Sequence, residues 1–171
     1  MKKKATIYIV MGVSGCGKTT FGKLFAKRAQ FNFIDGDDYH TQTNIEKMSQ
    51  GQALNDADRQ GWLESLREII INYSEAKSLV IGCSALKQSY RDILSPEAMN
   101  IQFIHLKGSY ELLYKRALKR AELTNHFMNP DLLRSQFNDL EEPAGDNVLT
   151  LDVMYTVDLN IAQALQHYFL D

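Results

Sequence analysis

The chain has 171 residues, with 19 Lys and Arg against 21 Asp and Glu and a formal net charge of −2, so it holds one ordinary domain's worth of sequence. Its 44% hydrophobic and 23% charged residues exclude disorder, collagen-like repeats and coiled-coil composition, and no sequence-wide positive charge favours nucleic acid or an anionic membrane as a partner. Two cysteines, Cys16 and Cys83, make neither a disulfide framework nor a paired zinc spacing, which points to a reducing cytoplasm.

Along the chain, Lys2 to Lys4 ahead of an apolar stretch imitate a secretion signal. Thr6, Tyr8 and Gly12 interrupt the stretch and Lys18 follows at once, so export is not expected. No run approaches the about 18 apolar residues of a membrane span. Residues 6–11 (TIYIVM) are too short for a helix and are bounded by glycine, which predicts a strand buried on both faces. From Lys18 the pattern is helical: Phe21, Leu24 and Phe25 share a face opposite Lys23, Lys27 and Arg28, ending near Gln30.

A short strand over 31–34 runs into the polar turn Asp35-Gly36-Asp37-Asp38. Residues 40–53 read as helix plus loop, and Asn55-Asp56-Ala57-Asp58 supplies capping residues for a helix carrying Trp62, Leu63, Leu66, Ile69 and Ile70. Strands follow at 78–83, 101–106 and 147–153. Helices are predicted at 88–94, at 110–121 with a strongly basic face, and at 131–140 with Leu132, Leu133 and Phe137 together; 124–130 is irregular. Val157, Ile161, Ala164, Leu165, Tyr168 and Phe169 define a final amphipathic helix.

Strands alternating with helices predict βαβ units and right-handed crossovers, hence a three-layer α/β/α sandwich around a mostly parallel five-stranded sheet. Nothing marks a domain boundary within 1–171, and function is expected at the carboxyl ends of the strands.

The chemistry-bearing motifs lie at those ends. Gly12, Val13, Ser14, Gly15, Cys16, Gly17, Lys18 and Thr19 match GxxxxGK[ST] between the first strand and the first helix, the context that turns a glycine-rich loop into a phosphate cradle. Backbone N–H groups and the helix N-terminus face the phosphates, Lys18 reaches the β- and γ-phosphates, and Thr19 offers a hydroxyl to Mg²⁺. Thr20, next in the chain, belongs with the nucleotide-binding residues.

Asp35 and Asp37 follow the second strand, where carboxylates hold magnesium through water or take a proton from an attacking hydroxyl; a solvated aspartate turn is the competing reading. His40 either touches substrate or caps a helix. Arg59, Lys87 and Arg91 follow strand ends or helix starts and suit an anionic substrate, against the plainer reading of surface ion pairs. Arg116 and Arg120, four residues apart on one helix face, suit a segment that closes over transferring phosphate, with a lid expected at about 116–130; a solvated basic face or a nucleic-acid patch is the alternative. Cys16 and Cys83 are expected to be inert small hydrophobes.

Together, the pieces MGVSGCGKT, FIDGDDYH, NIEKMSQG, LNDADRQGWL, CSALKQSYRDIL, HFMNPDLLRSQF and LEEP resemble the gluconate kinase family of small P-loop kinases, from the phosphate loop to Pro143. The resemblance implies ATP- and Mg²⁺-dependent phosphorylation of D-gluconate at its C6 hydroxyl by a homodimer with a fold like those of adenylate and shikimate kinases. It implies phosphate and metal roles for Lys18, Thr19 and Asp35, and a grip on the substrate hydroxyl for Asp37. Arg59 would bind the carboxylate, with His40, Lys87, Arg91 and His126 bordering the sugar acid and Arg116 and Arg120 serving as lid arginines. This chain departs from the family in lacking prolines at Thr41, Ala53 and Gly61 and in a longer link over 121–125. A kinase for another hydroxy acid such as shikimate, and a non-catalytic nucleotide-binding regulator, are the rival functions. A GTPase is disfavoured because no NKxD motif occurs.

Overall fold

In a computed structural model, which describes residues 5–124 and 130–170, five parallel strands form one sheet flanked by helices. The chain runs through β1 (Thr6–Met11), α1 (Lys18–Ala29), β2 (Asn32–Asp35), a 3₁₀ turn (Gly36–Tyr39), α2 (Gln42–Ser49), α3 (Asp56–Asn72) and β3 (Leu79–Gly82). It continues through α4 (Gln88–Ile93), β4 (Asn100–Lys107), α5 (Tyr110–Thr124), α6 (Pro130–Asp139), β5 (Val148–Asp152) and α7 (Val157–Phe169). The strand order is β2-β3-β1-β4-β5 and every pairing is parallel. The expected sandwich is therefore present, with β1 central and the chain turning to either side of it.

Strand periodicity builds the two cores. Tyr8 and Val10 of β1 pack with Phe21, Phe25 and Ala26 of α1, Leu113 of α5, and Ile161 and Ala164 of α7 on one face. Ile7, Ile9 and Met11 pack with Trp62, Leu63, Leu66 and Ile70 of α3 and Tyr90 of α4 on the other. A strand covered on both faces must be apolar throughout, which is why TIYIVM shows no alternation.

Local chemistry sets the element ends. The Phe31 N–H bonds to the Ala26 carbonyl at 2.8 Å, so β2 starts one residue later than the apolar run suggested. Asn55 and Asp58 cap α3 reciprocally. Thr41, one of the positions that lacks the family's proline, caps α2 by accepting from the Asn44 N–H. Helix α5 continues three residues past the predicted end at 121, to Thr124.

Cys16 and Cys83 are both buried, and burial pushes the Cys83 thiol up to about 12, so it stays protonated and unreactive. No helix among the described residues is long and apolar enough to cross a membrane.

Candidate active site

The phosphate loop leaves β1 through Gly12, whose φ of +145° suits glycine. A Cβ there would stand 2.8 Å from the Leu106 carbonyl oxygen and 2.7 Å from Cys16 Sγ. Four other helices carry side-chain N-caps, from Thr41, Asn55, Ser109 and Thr156. Helix α1 has only Gly17 at its N-cap, no side-chain cap and no acidic residue in its first turn. Its leading N–H groups and their positive end are thus left to an outside anion. Lys18 Nζ folds across the loop and donates to the carbonyls of Gly12 (3.0 Å) and Val13 (3.1 Å).

The end of β2 is drawn to the same place. Gly36 packs so tightly on β3 that a Cβ would stand 2.4 Å from the Gly82 carbonyl oxygen, which fixes Asp35 and Asp37 beside the loop. Thr19 Oγ1 donates to Asp35 Oδ2 at 2.7 Å, while Asp35 Oδ1 accepts the Asp37 N–H at 3.1 Å. Among the described residues no three His, Cys, Asp or Glu side chains form a metal cluster. One hydroxyl and one carboxylate beside a phosphate loop are nevertheless the sparse protein set that suits Mg²⁺, which draws its other ligands from phosphates and water. Asp37 has its pKa raised, chiefly by desolvation among the cleft walls and against the lowering charge of Lys18, although its carboxylate faces the open cleft.

A cavity of about 350 Å³ opens at this point, lined by Ser14 and Lys18 of the loop, Asp37, His40, Arg59, Trp62 and residues of α6. The His40 ring stacks on Trp62, with centroids 4.1 Å apart and planes 16° from parallel, and its Nε2 lies 3.9 Å from Asp37 Oδ1. Trp62 is held in turn by its Nε1 donating to the Gly36 carbonyl at 2.7 Å. Burial lowers the His40 pKa, with Arg59 adding to the effect and Asp37 opposing it, so the ring is neutral near pH 7.

Arg59 is 6% exposed, and its Nη1 donates to the Tyr90 hydroxyl (3.0 Å) and to Asp139 Oδ2 (3.1 Å). Around it, Tyr90 donates to Asp56, and Lys87 Nζ reaches Asp56 at 2.9 Å and Asp139 at 3.8 Å. The guanidinium is therefore oriented by a polar frame as it enters the cavity wall.

Lys18, Asp37, His40 and Arg59 thus converge on one cavity. Lys87 is not among its lining residues and acts on Arg59 through the shared Asp139. Arg91 does not border the cavity either, contrary to the expectation for it. It is 2% exposed and donates from Nη1 to the carbonyls of Ala85 (2.8 Å) and Leu86 (2.9 Å), and from Nη2 to that of Glu141 (2.9 Å). With Nε and Nη2 also donating to Gln88 Oε1, the guanidinium is used up as a clamp between chain segments and has no fork left for a substrate carboxylate. Arg91→Met is expected to strand those carbonyls and cost about 3 kcal/mol of stability. Denaturant unfolding should show the loss. His126 lies outside the described residues, as does most of the irregular stretch of the predicted lid.

A second cavity of about 260 Å³ lies on the other flank of the loop, lined by Cys16, Gly17, Thr20, Arg116 and Tyr155 among others. The Arg116 guanidinium donates to the Val153 carbonyl there, and Arg120 lies one turn further along α5. The phosphate loop thus separates two cavities, each bordered by loop residues.

Several residues at the site have only a fold-level rationale. Leu132, Ser135 and Gln136 of α6 line the larger cavity, and Asp139 follows on the same stripe at i, i+3, i+4 and i+7. That spacing was visible in the sequence, but a mixed polar stripe beside the Leu133 and Phe137 stripe has the look of a solvated face.

The shikimate kinase family model matches residues 14–150. A rat protein described as a probable gluconokinase is 41% identical over 167 residues, covering 86% of this chain and 89% of the relative. The thermosensitive gluconokinase of Escherichia coli K12 is 42% identical over 153 residues, covering 88% and 80%. The crystal structure of a gluconokinase from Sinorhizobium meliloti 1021 superposes with a TM-score of 0.80 at 34% identity, covering 99% of this chain and 98% of that one. The family model's span begins inside the phosphate loop and takes in Lys18, Asp37, Arg59 and α6. The chain belongs to the gluconokinase family, within the shikimate-kinase-like P-loop kinases.

Proposed function

We propose that the terminal phosphoryl group of ATP passes in the larger cavity to the C6 hydroxyl of D-gluconate, giving 6-phosphogluconate and ADP. The observation that carries this reading is the polarity of the cavity. A buried, oriented guanidinium, Arg59, stands in one part of its wall, and the phosphate loop with Lys18 and Asp37 stands in another. A sugar acid has matching ends, a carboxylate for the bidentate fork and a far hydroxyl for the reacting group.

ATP lies with its phosphates in the Gly12 to Thr19 loop, and its nucleoside in the second cavity beside Thr20 and Arg116. Lys18 turns from the loop carbonyls to the β- and γ-phosphates, and Arg116 and Arg120 add positive charge from α5. Thr19 and Asp35 would hold Mg²⁺, which when bound neutralises charge on the phosphate oxygens. Asp37 orients the C6 hydroxyl and accepts its proton as the oxygen attacks phosphorus; its raised pKa suits a base that must also release that proton. His40, neutral and flat on Trp62, presents a ring nitrogen to a sugar hydroxyl. Rate enhancement comes from positioning and charge neutralisation, with no covalent intermediate.

Arg59→Ala tests the carboxylate end. Removing a charge-assisted fork that persists from ground state to transition state should raise the gluconate KM about a hundredfold, with a smaller change in kcat. Steady-state kinetics with ATP saturating would show it. An unchanged gluconate KM with a raised ATP KM would contradict the assignment.

A further inference from the structure

Helix α6 reaches the phosphate loop directly. The Ser14 N–H, 122 residues away in sequence, is bonded to Gln136 Oε1 at 2.6 Å. A backbone N–H can only donate, so the carboxamide oxygen must face the loop and the Nε2 donors must point away from that bond. The helix is held in this pose by Leu133, 1% exposed in the core, by Phe137 edge-on to Tyr110, and by Asp139 paired with Arg59. Gln136 lines the larger cavity together with Ser14, Lys18 and Asp37. Gln136 therefore shares a cavity wall with the loop that would hold the phosphoryl group and with the carboxylate that would hold the accepting hydroxyl.

We propose that Gln136 is a catalytic residue that donates a hydrogen bond from Nε2 to a non-bridging oxygen of the transferring phosphoryl group. The proposal rests on the reading of the cavity as the site of transfer from ATP to gluconate. In that step the C6 oxygen forms its bond to the γ-phosphorus as the bond to the leaving ADP oxygen breaks, and the hydroxyl proton goes to Asp37. Gln136 exchanges no proton. It supplies a neutral donor fixed in advance by Ser14, so little reorganisation is needed as charge spreads over the equatorial oxygens. A glutamine suits the place better than another cation, because its oxygen satisfies the loop while its nitrogen serves the reaction.

The test is full steady-state kinetics on Gln136→Ala and Gln136→Glu, with thermal unfolding of each and Lys18→Ala run alongside. Gln136→Ala should lower kcat about a hundredfold, the usual cost of one transition-state donor, with both KM values within about threefold of the parent. Gln136→Glu keeps an oxygen for the Ser14 N–H but replaces the donor with a negative charge, and should lose at least as much kcat. If the alanine variant unfolds, the glutamate variant decides. A kcat within threefold of the parent in a folded variant overturns the proposal, as does a rise confined to the gluconate KM. A merely structural role would lower the unfolding midpoint without splitting kcat from KM. If Lys18→Ala also keeps its turnover, the transfer reading itself fails and the proposal with it. Loss in Lys18→Ala with unaltered Gln136 variants overturns the proposal alone.

Discussion

Lys18→Ala is expected to lower kcat by about a thousandfold or more while the protein remains folded. Among the described residues the Lys18 ammonium hydrogen-bonds only to the carbonyls of Gly12 and Val13 in its own loop, at 3.0 and 3.1 Å, and Lys18 belongs to neither hydrophobic core. Its removal should therefore change unfolding by no more than about 1 kcal/mol. Its partners in the reaction are phosphate oxygens whose charge shifts as the bridging bond breaks, so the loss falls on the transition state. The measurement is single-turnover ADP formation beside a denaturant melt. A folded variant within tenfold of the parent rate would remove the phosphate loop from the chemistry.

Asp37→Asn should lower kcat by a factor of about 10² to 10⁴, the range for a positioned general base, with ATP affinity preserved. Asparagine keeps the shape and one acceptor oxygen but cannot take the proton. The pH profile sharpens the test. Desolvation raises the Asp37 pKa above the ordinary value of 3.8, so the parent's kcat/KM should fall on acidification at a pH above that value, as the carboxylate becomes protonated and loses its basicity. The asparagine variant should lack that acid limb. An unchanged limb in Asp37→Asn would assign it to another group.

The phosphate loop and the sheet were legible in the sequence because both are encoded locally. Glycine spacing around Lys18 states the backbone conformation that makes the cradle, and an unbroken TIYIVM can only be a strand covered on both faces. The arginines were not separable in that way. Arg59 and Arg91 both follow polar helix starts, and what divides them is three carbonyls, of residues 85, 86 and 141, that the fold delivers to Arg91 alone. The same holds for His40, whose partner ring at Trp62 comes from a helix chosen on its apolar spacing, and for Gln136, whose loop contact spans most of the chain. Long-range pairings of polar side chains leave no period in a sequence, whereas strands, caps and glycine turns do.

The most direct measurement is ADP release with ATP and Mg²⁺ against a panel of gluconate, related sugar acids, shikimate and nucleoside monophosphates, with the phosphorylated carbon located by ³¹P–¹H coupling. ADP formed in equal amount with gluconate consumed, and phosphate found on C6, is the predicted result. ADP formed with shikimate or a nucleotide but not with gluconate, or phosphate carried on another carbon of gluconate, would contradict it.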